Sequence, residues 1–376
     1  MAGIYIHIPF CKQACFYCDF HFSTNQQVRT DLVAAICKEI YLQKNYLDGE
    51  PLQTIYIGGG TPSLLQQHEL AQIFEAVRST HRMEPLPEIT LEANPDDLTL
   101  LKLKELHELG INRLSIGIQS FHQEFLSFLN RAHDASAAQT SFYLAREAGF
   151  DNISIDLMYA IPGETELQWR ADIQQAVDLL PEHISCYSLT IEEKTVFGRW
   201  HTSGKLKAST DETAAAQLET LMKVLEQHGY EHYEISNFAR PGFQSKHNSN
   251  YWKQKKYLGV GPSAHSYDGN SRQYNIHNNH LYLKALEQER IPFQKETLSL
   301  ENKVNEYILT TLRTHWGTDL KKIKQDFGHD LLQQNAAYLS TIFENKLATL
   351  NEGILRLTKK GKLLADKISS DLFMTP

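Results

Sequence analysis

Most features that would assign a chain to a specialised class are missing here. No apolar run approaches the roughly 20 residues of a membrane-spanning helix. The opening residues read as a strand, not as a basic start followed by an apolar leader. Basic residues are the minority: 37 Lys and Arg face 45 Asp and Glu, a net charge of −8, which excludes a general nucleic-acid binder held by phosphate contacts. There is no low-complexity tract and no repeat beyond a strand–helix unit. The glycines form neither GxGxxG nor a P-loop with its lysine, so a nucleotide-phosphate cradle is a poor reading. Only five cysteines occur in 376 residues. That is no disulfide framework, and it fits a reducing cytoplasm, where this reading places the protein.

What is present is concentrated. Three of the five cysteines fall within Cys11-Lys12-Gln13-Ala14-Cys15-Phe16-Tyr17-Cys18, spaced CxxxCxxC. They follow an alternating, β-branched run from Ile4 to Phe10 that reads as a strand, with Pro9 ending it. The cysteines therefore lie on a loop beyond a strand's C-terminal end, where α/β sheets carry their chemistry. Three thiolates this close suit one soft metal centre, zinc or iron–sulfur. A cubane of four irons would keep one iron free of protein. A structural zinc site with His7 or His21 as fourth ligand is the competing reading. Cys37 and Cys186 read as small buried hydrophobes.

Downstream the chain alternates. Residues 29–47 read as a helix and 54–57 as a strand running into Gly58-Gly59-Gly60-Thr61, with a helix from about Leu64. Glycines after a strand let backbone approach a ligand closely, although a tight turn explains them equally well. Strands at 88–92, 113–118, 152–158 and 183–189 alternate with helices at 98–109, 137–148, 166–180 and 211–228. About six strand–helix units imply a parallel sheet with right-handed crossovers. They are too few for a closed eight-stranded barrel, so the expected fold is α/β, a partial (β/α)6 TIM-type barrel. Glu92, Gln119 and Asp156 stand at or near strand C-termini. A carboxylate there is costly unless paired, and the common position suggests one shared pocket. After about residue 302, helices at 304–313, 320–327 and 336–350, a strand at 353–358, a turn at 359–361 and a helix at 363–368 suggest a mostly helical, winged-helix-like C-terminal domain. The lysines at that turn read as a solvated surface, not a DNA contact. The chain divides into a core at 1–235, a connection at 236–300 and an accessory domain at 301–376.

CxxxCxxC after a first strand resembles the signature of radical S-adenosylmethionine (SAM) enzymes. The flanking Tyr5-Ile6-His7-Ile8-Pro9-Phe10-Cys11 and Tyr17-Cys18-Asp19-Phe20 resemble one branch, which holds the oxygen-independent coproporphyrinogen dehydrogenases (HemN) and the heme chaperones (HemW). So do Arg113 to Phe121, Leu129 to His133, and Asp156 to Gly163, where Ala160 stands inside a DLxxGxPG-like run. The resemblance implies a 4Fe–4S cluster on Cys11, Cys15 and Cys18. It implies SAM contacts from Tyr5, Tyr17, Gly59, Gly60, Thr61, Glu92, Gln119, Arg131, Asp156 and, through its backbone, Thr190.

Three features separate the two functions within the branch. The dehydrogenases continue CxxxCxxCxC, whereas Phe20 stands here. Only Met1-Ala2-Gly3 precede the first strand. And His247-Asn248-Ser249-Asn250-Tyr251-Trp252 reads HNxxYW, which resembles the chaperone segment linked to heme. His247 is a candidate iron ligand, and Tyr251 and Trp252 suit a flat, apolar porphyrin face. His265 is a second candidate ligand. The implied function is a heme chaperone that delivers heme to acceptor proteins, respiratory ones among them, with an electron donor for the cluster and no residue in a catalytic role. The alternative is oxygen-independent coproporphyrinogen III dehydrogenase, which converts two propionates to vinyl groups.

Overall fold

In the computed structural model, which describes residues 1–374, six strands lie side by side in chain order. They are β1 (Ala2–Ile8), β2 (Leu52–Gly59), β3 (Met83–Ala93), β4 (Arg113–Gln119), β5 (Ile153–Tyr159) and β6 (His183–Ser188). Every neighbouring pair is parallel. Helices Arg29–Leu42, Gln67–Thr80, Leu100–Glu108, Ala135–Glu147 and Glu166–Asp178 make the crossovers. Helices on the crossovers bury the sheet, so its strands read as nearly continuous apolar runs. Ile4, Ile6, Ile57, Leu91, Leu114, Ile116, Ile155 and Ile184 are buried in one core with the helices. All six strands present their C-terminal ends to one rim. This is the partial barrel expected from the alternation.

The sheet is wider than the sequence suggests. On one edge, β7 (Glu231–Glu234) and β8 (Asn237–Ala239) form an antiparallel hairpin whose β8 pairs with β6. On the other, β9 (Tyr257–Val260) pairs in parallel with β1. It is followed by antiparallel β10 (His265–Tyr267), β11 (Ser271–Asn275) and β12 (Phe293–Thr297). The result is a twelve-stranded sheet. These six additions are three to five residues long. β12 is exposed along its whole length, so no buried alternation marks it.

Several local expectations need correction. The helix expected from Leu64 starts at Gln67, because Pro62–Leu64 form a 3-10 turn and Gln66 exchanges capping bonds with Glu69. The first helix stops at Leu42, not residue 47. Short helices Gln123–Phe128 and Val196–Thr202 were not anticipated. Nor was the helix Lys246–Trp252, which carries HNxxYW and is capped by Ser245 Oγ accepting from the Asn248 amide. The helix expected over 336–350 ends at Glu344. Lys346 turns the chain with φ 55°, and the next residues enter a small sheet of β13 (Thr318–Asp319), β14 (Ala348–Asn351) and β15 (Ile354–Leu357). The lysine turn is a short helix, Lys359–Lys362, followed by Ala365–Asp371.

This C-terminal unit has its own core, including Val304, Ile308, Ile323, Leu339, Leu355 and Ile368. Arg313 ties it to the sheet edge by donating through Nε to Glu234 at 3.0 Å. Among the described residues no helix is long and apolar enough to cross a membrane.

Candidate cofactor site

The strand C-termini and the loop after β1 enclose a cavity of about 610 Å³. The loop folds as it does because its backbone is tied at both ends. Cys11 N donates to Ser23 O (3.1 Å), Ser23 N to Pro9 O (2.9 Å) and Cys18 N to Cys15 O (3.3 Å). All three cysteines line the cavity. Thr61 Oγ1 lies 3.5 Å from Cys11 Sγ, and Arg131 Nη1 lies 3.4 Å from Cys15 Sγ, each donating to sulfur. Burial pushes the Cys11 thiol up to about 11 and Cys18 to about 12. Both are protonated at neutral pH until a metal displaces the proton. Among the described residues no three His, Cys, Asp or Glu side chains converge closely enough for one ion. Three thiols that line one cavity suit a cluster that binds one thiolate per iron.

The glycines are more than a turn. A Cβ on Gly60 would stand 2.6 Å from Phe10 O and 3.0 Å from Cys11 Sγ. Gly59 has φ 114°, and a Cβ there would meet the His7 ring at 2.6 Å. The close packing brings this backbone against the cysteine loop. The Gly59 amide donates to Glu92 (3.0 Å), and Tyr56 Oη donates to the other Glu92 oxygen (2.7 Å). Burial, with the Asp156 charge adding, lifts Glu92 to about 7 against the Tyr56 hydrogen bond. Burial likewise lifts Asp156 to about 6, against bonds from Ser185 and Ser115. Desolvation is the main cause of both shifts, so a ligand that brings further hydrogen-bond donors would favour the charged forms. The amino and ribose hydroxyl groups of SAM are such donors. Arg131 donates to Asn94 Oδ1 (2.7 Å) and Gly117 O (2.8 Å), while its buried Nε has no partner. Gln119 is held at φ 70°, a strained setting typical of functional strand ends.

Of the ten residues expected to touch SAM, nine face this cavity: Tyr17, Gly59, Gly60, Thr61, Glu92, Gln119, Arg131, Asp156 and Thr190. Tyr5 does not. Its side chain faces a second cavity of about 500 Å³, and its hydroxyl pairs with His7 Nδ1 at 3.0 Å. Sequence reasoning missed Tyr56, Asn94, Arg113 and Tyr187 on the first wall. Alternation offered a signal for Arg113, since Arg113, Ser115 and Gly117 share one face of β4.

HNxxYW is split between sites. Asn248 lines the first cavity, Tyr251 and Trp252 the second. His247 lines neither, contrary to the expectation that it contacts heme. It is 2% exposed, and both ring nitrogens are engaged, Nδ1 with Thr54 Oγ1 (2.7 Å) and Nε2 with Tyr251 Oη (2.8 Å). Its ring stacks on Tyr56 at 4.9 Å. Burial, then the Arg113 charge, pushes its pKa down to about 3. It packs as a neutral wedge between the two cavities.

Comparison with known proteins identifies the family and the fold. The family model of the radical SAM superfamily matches residues 5–176, and that of the HemN C-terminal domain matches residues 298–364. The chain is 37% identical over 371 residues to the heme chaperone HemW of Bacillus subtilis, covering 98% of each. It is 37% identical over 265 residues to the heme chaperone HemW of Escherichia coli, covering 70% of this chain and 69% of that one. The structure of coproporphyrinogen III oxidase (HemN) from Escherichia coli superposes with a TM-score of 0.85 at 23% identity, covering 99% of this chain and 90% of that one.

Proposed function

The chain belongs to the HemW family within the radical SAM superfamily, and from that premise we propose that it is a heme chaperone. In this reading it holds a 4Fe–4S cluster and SAM in the first cavity, binds heme, and hands it to acceptor proteins in the cytoplasm. The observation that carries the cofactor half is the convergence of three cysteines and nine expected SAM contacts on one cavity. The heme half draws support from relatives named heme chaperone HemW and from Phe20, which stands where a dehydrogenase would carry a further cysteine. Likeness to HemN at 23% identity speaks to fold alone.

When bound, the cluster supplies an open iron and one-electron reducing power drawn from a donor protein. The chain's own residues do the rest. Cys11, Cys15 and Cys18 would hold three irons, with the Thr61 hydroxyl and Arg131 guanidinium donating to two of the sulfurs. Gly59 and Gly60 let this backbone pack against the cysteine loop, so that both line the cavity in which the methionine half of SAM would lie. Glu92 and Asp156 would accept from SAM's hydroxyl and amino groups, and that exchange of donors lowers their raised pKa values. Residues 1–235 would serve as the cofactor core, 236–300 as the connection carrying HNxxYW, and 301–376 as a cover.

The test is anaerobic reconstitution followed by iron and sulfide analysis, a heme titration, and an assay with coproporphyrinogen III, SAM and reductant. Expected are about four irons per chain, stoichiometric heme, and no decarboxylated product. Product at catalytic turnover with weak heme binding would replace this reading with the dehydrogenase.

A further inference from the structure

Arg113 opens β4 and is 1% exposed. Alternation turns Arg113, Ser115 and Gly117 to the inner face of that strand, and Arg113 lines the first cavity. A guanidinium stays charged at ordinary pH, so burying one is costly unless an anion stands beside it. No anion of the chain does. Among the described residues Arg113 makes no ion pair and its side chain donates no hydrogen bond, and its Nε is buried without a partner. The other arginine of this cavity is the contrast. Arg131 donates to Asn94 Oδ1, Gly117 O and Tyr17 Oη as well as to Cys15 Sγ.

The acids of the barrel are committed elsewhere. Glu88 accepts the amides of Lys246 and His247 at 3.0 and 2.9 Å. Glu92 takes Tyr56 Oη and the Gly59 amide, and Asp156 takes the Ser115 hydroxyl at 3.2 Å. The Arg113 charge acts on Glu92 and Asp156 from a distance, and burial still lifts them to about 7 and about 6. The nearby imidazole of His183 is engaged too, Nδ1 with Ser154 Oγ (2.8 Å) and Nε2 with Tyr233 Oη (2.7 Å). Burial first, and the Arg113 charge second, keep it neutral. A buried fork of donors facing a cavity is a receptor for an anion from outside the chain. A carboxylate matches the fork with two oxygens and one charge. A doubly charged phosphate would meet Glu92 and Asp156 on the same wall. Depth sets Arg113 apart from the cysteine loop. Strands rise about 3.3 Å per residue, so its Cα stands about 13 Å below that of Gly117, whose carbonyl takes Arg131. An arginine side chain is shorter than that rise, so the two guanidiniums serve different ends of the cavity.

Resting on the cofactor reading above only for the place of SAM, we propose that Arg113 forms a carboxylate subsite on the floor of the first cavity, and that this cavity admits a small molecule bearing one carboxylate together with SAM. The guanidinium holds both carboxylate oxygens. The body of the molecule lies above it, against Tyr56 and Tyr187 of the same wall. Arg131, beside Cys15, is left to the cluster end. One cavity then brings SAM and a second small molecule into contact, which a pure cofactor store does not require.

The experiment is thermal unfolding of the reconstituted full chain with butyrate as the probe. Butyramide is its neutral counterpart, inorganic phosphate the other anion, and chloride holds the ionic strength constant. SAM affinity is read separately by calorimetry. With SAM present, butyrate should raise the wild-type midpoint and butyramide should not. Arg113→Met should abolish that rise and leave SAM affinity within about two-fold of wild type. Without ligands it should unfold at no lower a urea concentration than wild type, because it removes an unpaired buried charge. Arg113→Lys keeps the charge and loses the fork, and should bind butyrate at least about ten-fold more weakly. A wild type indifferent to butyrate, or one that responds equally to phosphate, would overturn the carboxylate subsite. So would an Arg113→Met protein that loses about ten-fold or more in SAM affinity, which would give Arg113 to SAM's own carboxylate. An Arg113→Met protein that unfolds earlier in urea would make the arginine structural and overturn it as well. Butyrate bound by a wild type that takes up no SAM would support the subsite and remove the cofactor reading.

Discussion

The two cavities are nearly equal in size, about 610 and 500 Å³, and opposite in chemistry. One gathers thiols and carboxyls at the C-terminal ends of six parallel strands. The other gathers imidazoles and phenols between the outer strands, the HNxxYW helix and the C-terminal unit, which contributes Glu306 and Thr310. The same physics acts on both. Desolvation penalises the charged form, so it raises acids and lowers bases. Glu92 and Asp156 rise to about 7 and 6, while His7 falls to about 4. Each cavity is thereby biased toward neutral groups, thiols and carboxyls in the first and imidazoles and phenols in the second.

The comparison breaks or sharpens at several points. The largest effect is expected from Cys15→Ala. Cluster iron and sulfide should fall to near zero in anaerobic reconstitution, while heme titration of the same protein changes little. Loss of both would mean that the cluster and heme sites are not independent. Gly60→Val comes next, because its side chain would enter the space of Phe10 O and Cys11 Sγ. SAM binding by calorimetry should drop below detection, with the heme titration unaltered.

Glu92→Gln is a gentler test of the first cavity. Charge-assisted bonds are worth roughly 1.5–3 kcal/mol, so SAM affinity should fall about ten- to hundred-fold with cluster content preserved. The same substitution has a pH signature without cofactors. Glu92 titrates at about 7 in the fold against an ordinary 4.5. Its favourable contribution is therefore complete below about 4.5 and is lost as pH rises through 7. Without ligands, Glu92→Gln should exceed wild type in stability at pH 8 by on the order of 1–3 kcal/mol, and the gap should close toward pH 4.5. His247 runs the other way. Held at about 3 against an ordinary 6.5, it supports the fold above 6.5, and that support is lost as pH falls toward 3. His247→Gln should flatten the acid limb of stability. Urea midpoints across pH 4.5–8 check both signs. The smallest effect belongs to Tyr251→Phe, which removes the partner of His247 Nε2 at a cost of about 1 kcal/mol with the heme titration unaltered.

The first cavity was far more legible in sequence than the second. Its residues sit at strand ends marked by repeated apolar runs, and CxxxCxxC, the glycines, Glu92 and Asp156 each carry a local chemical signal. Arg113 and Tyr56 escaped because they sit within strand patterns that a core explains equally well. The second cavity is assembled from Tyr5, His21, Tyr251, His265, Arg272 and Glu306, which span some three hundred residues and share no motif. HNxxYW lends Tyr251 and Trp252 to the second cavity, while its histidine lines neither cavity. Spacing cannot tell that His247 faces Thr54, which lies 193 positions away in the chain.

By itself the sequence determined the parallel core, the cysteine loop at a strand end and the carboxyls beside it. These follow from periodicity and from chemistry that is local along the chain. Only the tertiary structure decided that β9 joins β1, that the HNxxYW helix contributes to two cavities, and which histidines face the second of them. Those depend on long-range pairing and on hydrogen-bond partners that the order of residues does not display.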